Sequence, residues 1–179
     1  MLVLSLFAVL ALSPIQDRPV FTDEDVRRAV QCADQSNDRC ARSEDIAATI
    51  TCLALPQHAG EDAVSECLSN ITDRCVMRWQ STTPEMNRRA ILICAAQSRA
   101  AMREGANDWL GRAETSIDAS AFAQYRSLTA TVPERAEQDA ESVGSDAVRQ
   151  AGARTGVWAS FILFLWHEQW QYPGWAGTI

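Results

Sequence analysis

Two nine-residue stretches, "CADQSNDRC" from Cys32 to Cys40 and "CLSNITDRC" from Cys67 to Cys75, open and close on cysteine and share the ending Asp-Arg-Cys. With Cys52 and Cys94 they hold all six cysteines of the chain, in one block with none after it. Such a block limits the fold severely, because every disulfide fixes two backbone points at about 4.4–6.8 Å. A zinc centre would need Cys-x2-4-Cys spacing or histidines close by, and a redox centre Cys-x-x-Cys; neither spacing occurs. An even count without those spacings reads as a disulfide framework made in an oxidising compartment.

The first residues point the same way. "MLVLSLFAVLALSPIQDRP" is apolar from Met1 to Leu12 and breaks at Ser13-Pro14. That run suits the core of a signal peptide and is too short to span a bilayer as a helix. Residues 1–13 are therefore read as a leader, with a cut after Ala11 acceptable, although no Lys or Arg precedes the apolar run. No cysteine follows it to carry a lipid. The expected location is periplasmic or secreted.

Start and stop signals divide the remainder into helices, and no segment reads as a strand. Thr22-Asp23-Glu24-Asp25 has the form of a capping box, followed by Val26, Ala29, Val30 and Ala33 at helical spacing. Ser43-Glu44-Asp45 marks a second start, with Ile46, Ile50 and Leu53 on one stripe, closed by Pro56 and Gly60. Glu61-Asp62 opens a third helix carrying Val64, Leu68, Ile71 and Val76. Thr82-x-x-Glu85, with Pro84 in the first turn, opens a fourth through Met86, Ala90, Ile93, Gln97 and Ala101, reaching toward Trp109-Leu110.

In an antiparallel helix pair, residues that face each other lie symmetrically about the turn. Cys32 and Cys52 are symmetric about the Ser43 start, and Cys67 and Cys94 about the break "WQSTT". This predicts Cys32–Cys52 and Cys67–Cys94 within two hairpins, with Cys40–Cys75 joining hairpin to hairpin. Cys32–Cys40 is disfavoured if both share a helix, since eight residues there span roughly 12 Å. The Asp38-Arg39 and Asp73-Arg74 pairs are expected to form local ion pairs.

After Asp118 the pattern changes. Thr131-x-x-Glu134 with Pro133 predicts an acidic, solvated helix, and "GVWASFILFLW" is apolar all round from Val157 to Trp166, as a buried helix is. The fold class expected is all-α: disulfide-stapled helical hairpins, as an internal duplication, packed on a C-terminal apolar helix. Residues 20–179 form one helical domain, with hairpin repeats at 22–56 and 61–110 and a helical region at 118–172. Trp158, Trp166, Trp170, Tyr172 and Trp175 crowd one end, which offers membrane-surface contact as the alternative role for that helix.

Signals for catalysis are weak. His58 and His167 lie far apart, and His167-Glu168 lacks the second histidine of a zinc-protease motif. Glu24/Asp25, Glu44/Asp45 and Glu61/Asp62 are carboxylate pairs, but each stands at a helix start where the dipole favours it. No Gly-x-Ser-x-Gly elbow and no glycine-rich phosphate loop occurs. Asn70 in "NIT" matches a glycosylation sequon. The expectation is a non-enzymatic protein with no cofactor and no metal. The formal net charge of -7 argues against a nucleic-acid partner and favours encounter with a basic one.

The stretch from Cys67 to Leu110 resembles the lysozyme-inhibitor LprI-type domain family of bacterial envelope proteins. The resemblance lies in the lead-in "CLSNITDRC…STTPEM…C" and in Cys94 followed at the family's distance by Ala106-Asn107 and Leu110. The family has Leu-Asn-x-x-Tyr there, and Met102 stands where it commonly has Trp. The resemblance implies an exported, helical, cysteine-containing envelope protein that binds a protein partner, a lysozyme being the specific candidate. Cys94 and Asn107 are the positions carried over, in a structural or binding role. A structural or membrane-surface envelope protein using its Trp-rich C-terminus is the alternative.

Overall fold

A computed structural model describes residues 20–34 and 40–172. Those residues form six α-helices and one short 3-10 turn, with no strand among them. The helices are α1 (Asp23–Asp34), α2 (Ser43–Leu53), α3 (Gly60–Trp79), α4 (Pro84–Ala113), α5 (Ala119–Ser142) and α6 (Ala147–Gln169). Residues 1–13, read as a leader, and Trp175 lie outside the described residues, as do Asp38 and Arg39.

The start signals work largely as their chemistry requires. Thr22 and Asp25 exchange bonds reciprocally: the Thr22 amide donates to Asp25 Oδ2 at 2.8 Å and the Asp25 amide to Thr22 Oγ1 at 3.2 Å. Pro84 opens α4 at its first turn, one residue later than the predicted box allows, because Thr83 rather than Thr82 takes the cap position. There the preceding loop is closed by Asn87, whose side chain accepts from the Ser81 amide at 2.6 Å and donates to the Ser81 carbonyl at 2.8 Å. α3 follows a 3-10 turn (Gln57–Ala59), and Gly60 takes φ +81°, where a side chain would be strained.

The predicted start at Thr131 is wrong. α5 begins twelve residues earlier at Ala119, capped by Asp118, whose Oδ1 accepts from the amides of Ser120 and Ala121 at 3.0 and 2.9 Å. Pro133 therefore stands inside the helix and removes one backbone donor. The turn ahead of it carries two hydroxyl bonds, from Thr129 to the Tyr125 carbonyl and from Thr131 to the Leu128 carbonyl, at 2.9 and 2.8 Å. The helix is carried through because Tyr125, Val132, Ala136 and Ala140 all bury on one stripe.

The core forms where α4 and α6 meet, with α2, α3 and α5 packed around them. Val157–Trp166 behaves as the apolar pattern predicts: Trp158, Ile162, Leu165 and Trp166 are buried against Met102, Ala106 and Trp109 of α4 and the inner faces of α2, α3 and α5. α6 also closes the end of α2, which cannot satisfy its own last carbonyls. Trp166 Nε1 donates to the Leu55 carbonyl and Gln169 Nε2 to the Leu53 carbonyl, both at 2.7 Å.

The hairpins are stapled, but not through the predicted pairs. The bonds are Cys32–Cys40, Cys52–Cys67 and Cys75–Cys94. The symmetry rule holds for the α2–α3 hairpin, which it was not applied to. Between α3 and α4 the helix pair was right, but Cys94 bonds Cys75 instead of Cys67, off the centre of the turn. Cys52–Cys67 is centred on the Ala59–Gly60 turn and ties α2 to α3, while Cys75–Cys94 is centred near Pro84 and ties α3 to α4. α1 instead lies on α4, where Ala33 packs against Ala96 and Ala100. Cys32 thus has no antiparallel partner in α2.

The repeated motif meets two different fates for one physical reason. In its second copy Leu68 and Ile71 supply a buried stripe, so α3 runs unbroken past Cys67 and Cys75 and holds them too far apart to bond. In the first copy Ala33 and Ser36 occupy those places, α1 ends at Asp34, and Cys40 bonds Cys32 with a Cα separation of 5.5 Å. The distance argument against Cys32–Cys40 assumed that both share a helix, whereas α1 ends at Asp34, short of Cys40.

Candidate functional site

The residues marked by the sequence are held apart. Cys94 is completely buried in its bond with Cys75, whereas Asn107 lies exposed on α4, thirteen residues further along. That distance along a helix is roughly 20 Å, so the two do not form one surface. Cys94 is a staple, and Asn107 is free to meet a partner. Met102 and Ala106, where the family pattern departs, are both in the core.

Of the three carboxylate pairs, each stays in the first turn of its own helix. Asp25 is engaged with Thr22, whose amide holds its carboxyl below the usual carboxylate range. Glu44 bridges Arg42 and Arg78 at 2.6 and 3.1 Å, and burial raises the Asp45 carboxyl beside it. Glu61 meets His167 at 2.6 Å on an exposed surface, a neighbourhood that the linear sequence does not show. His58 is exposed in the 3-10 turn. No group of three or more metal-ligating side chains occurs among the described residues. Asn70 is exposed on α3; its carbonyl accepts from Arg74 Nε at 3.1 Å, a bond in place of the expected Asp73–Arg74 ion pair.

A second carboxylate is gripped at the far end of the core. Tyr125 donates to Glu168 Oε2 at 2.5 Å and lies 3.0 Å from the Tyr172 hydroxyl. Burial and then the bond to Glu168 push the Tyr125 phenol well above its ordinary value. This clasp locks the end of α6 onto α5.

One cleft collects polar groups that sequence reading missed. It has a volume of about 410 Å³ and lies between the end of α1, the middle of α4, the part of α5 after Pro133, and Trp158 of α6. Arg99 and Arg103, one turn apart on α4, line it and are only 6% and 9% exposed. Both reach the last turn of α1, which has no basic residue of its own. Arg103 Nη1 donates to the Ala33 carbonyl at 2.5 Å, and Arg99 Nη2 lies 3.2 Å from Asp34 Oδ1. These contacts complement the negative end of that helix.

The fit is incomplete. Arg99 Nε and Arg103 Nη2 are buried with no hydrogen-bond partner among the described residues. Burial pushes the Arg99 guanidinium below its ordinary value, opposed by Asp34. Across the cleft Arg154 holds Glu137 with two bonds at 2.8 and 2.7 Å, and that bonding lowers the Glu137 carboxyl. The sequence carried a sign of this site in "SRAAMREGA", two arginines four apart in an alanine-rich run that packs on two neighbouring helices.

Compared with family models, with curated proteins and with solved structures, the chain matches none of them.

Proposed function

We propose that this is an exported, non-enzymatic protein that binds a macromolecular partner in the cell envelope, with a basic lysozyme as the most specific candidate. The observation that carries the reading is the outer face of α5. Glu134, Glu137 and Glu141 are exposed there at helical spacing, on a chain of net charge -7. The three disulfides are consistent with an oxidising, exported location, and two of them staple α2 to α3 and α3 to α4, which lowers the ordering cost of binding. Complementary charge acts mainly on the association rate and weakens as salt rises.

The oxidised protein without its leader, titrated into lysozyme activity assays at low and moderate salt with calorimetry alongside, tests this. Stoichiometric inhibition that weakens with salt supports it, and Glu134→Lys with Glu141→Lys should slow association. Absence of binding to lysozymes of several classes removes lysozyme as the partner. The membrane-surface alternative has less support, since Trp158 and Trp166 are buried in the core. No helix among the described residues is long and apolar enough to cross a membrane. Deleting residues 156–179 separates the two readings: an anchor would leave a folded protein, a core helix would not.

A further inference from the structure

We infer that the cleft between α1, α4, α5 and α6 is a binding site for a single carboxylate carried on a flat apolar body, received by Arg99 and Arg103 with the body against Trp158. The starting point is the cost of what is already there. Two buried arginines are expensive unless their guanidinium donors are satisfied. Contacts to α1 account for one donor of each arginine, and Arg103 Nε has Glu104 at 3.3 Å. Arg99 Nε and Arg103 Nη2 are left without acceptors among the described residues.

A carboxylate entering between the two side chains supplies charge-assisted acceptors, and a modest relaxation of either guanidinium brings its unmatched edge onto the incoming oxygens. The charge around the cleft selects the ligand. Three carboxylates also line it, Asp34 beside Arg99, Glu134, and Glu137 held by Arg154, so a dianion such as phosphate meets repulsion that a monoanion largely escapes. A volume of about 410 Å³ is at the small end of ordinary ligand sites and admits a ring beside Trp158, not an extended chain. The site shares Glu134 and Glu137 with the acidic face of α5 but does not depend on lysozyme binding.

Phenylacetate is the probe, its neutral isostere phenylacetamide the control, and the Trp158 indole N–H resonance of the full oxidised protein the readout. Saturable perturbation by phenylacetate is expected, with the amide at least about tenfold weaker because it cannot form the charge-assisted bonds. Inorganic phosphate should also bind more weakly. A short peptide ending in free phenylalanine, set against its C-terminal amide, tells a chain terminus from a free acid as the source of the carboxylate. Arg103→Gln should abolish the response. If that variant does not fold, Glu137→Gln serves instead: it acts on an exposed side chain, removes one negative charge from the rim and releases Arg154 from its ion pair, and both changes should tighten phenylacetate binding, several-fold in all. Equal binding of acid and amide, tighter binding of phosphate, no saturable shift at Trp158, undiminished binding in folded Arg103→Gln, or weaker binding in Glu137→Gln would each overturn the inference.

Discussion

Gly105→Ala tests how closely α2 and α4 are packed. A Cβ added at Gly105 would lie 2.5 Å from Thr49 Cγ2 and 3.2 Å from Thr49 Cβ, with Leu53 Cδ1 next at 3.9 Å. Thr49 has no room to yield. It is fully buried, and its hydroxyl donates to the Asp45 carbonyl at 2.9 Å, so turning the methyl aside breaks that bond. Two effects oppose each other. Alanine improves on glycine inside a helix by about 1 kcal/mol, whereas overpacking a well-filled core costs about 1–3 kcal/mol. Here the nearest obstacle is a side-chain branch beside the backbone rather than the end of a flexible chain, so the second effect should win. A contact as short as 2.5 Å puts the cost in the upper part of that range, so the expected outcome is a net loss of about 1–2 kcal/mol, read by urea denaturation under oxidising conditions. In a chain of this length it amounts to a fall in Tm of about 2–4 °C per kcal/mol. Thr49→Ser removes the clashing methyl and keeps the hydroxyl, so Gly105→Ala/Thr49→Ser should recover much of the loss. The double-mutant cycle should then show coupling of about 1 kcal/mol. A Gly105→Ala protein as stable as the parent, or two substitutions that simply add, would refute the packing argument.

Peptide mapping of oxidised protein should recover Cys32 linked to Cys40, Cys52 to Cys67 and Cys75 to Cys94; recovery of Cys32 linked to Cys52 would restore the hairpin-symmetry pairing. Replacing Cys52 and Cys67 with serine should cost more than replacing Cys32 and Cys40, as measured by urea unfolding. The former closes the longer loop, worth about 3 kcal/mol by chain entropy, and Cys52 is fully buried where a serine hydroxyl lacks water. The reverse order would count against the fold at that hairpin. Acid should act through the helix caps: backbone amides hold the Asp118 and Asp146 carboxyls below their ordinary values. Their contribution is present above the unfolded carboxylate pKa of about 3.9 and is lost as pH falls through the lower folded values. Asp118→Asn, which can still cap but does not titrate, should flatten the fall in stability between about pH 5 and pH 2, and an unchanged slope would argue against this linkage.

Local chemistry made part of this protein readable from its residues alone. Thr22 with Asp25, Pro84 in a first turn, and an apolar run without a polar face are each recognised by neighbours a few positions away. The all-helical class and the buried role of Val157–Trp166 follow from such signals. Pro133 misled for the same reason, because a proline's local preference for a first turn was overridden by a stripe from Tyr125 to Ala140 that buries against α6. The disulfide pairing was beyond local reading: facing positions depend on which helices are neighbours, and α1 chose the alanines of α4 over α2. Arg99 and Arg103 look on paper like ordinary helix-surface cations. Only the arrival of α1, α5 and Trp158 on that side of α4 buries them and brings their guanidinium groups together in one cleft. Burial is a property of the assembled helices, and it is burial that turns two common arginines into a site.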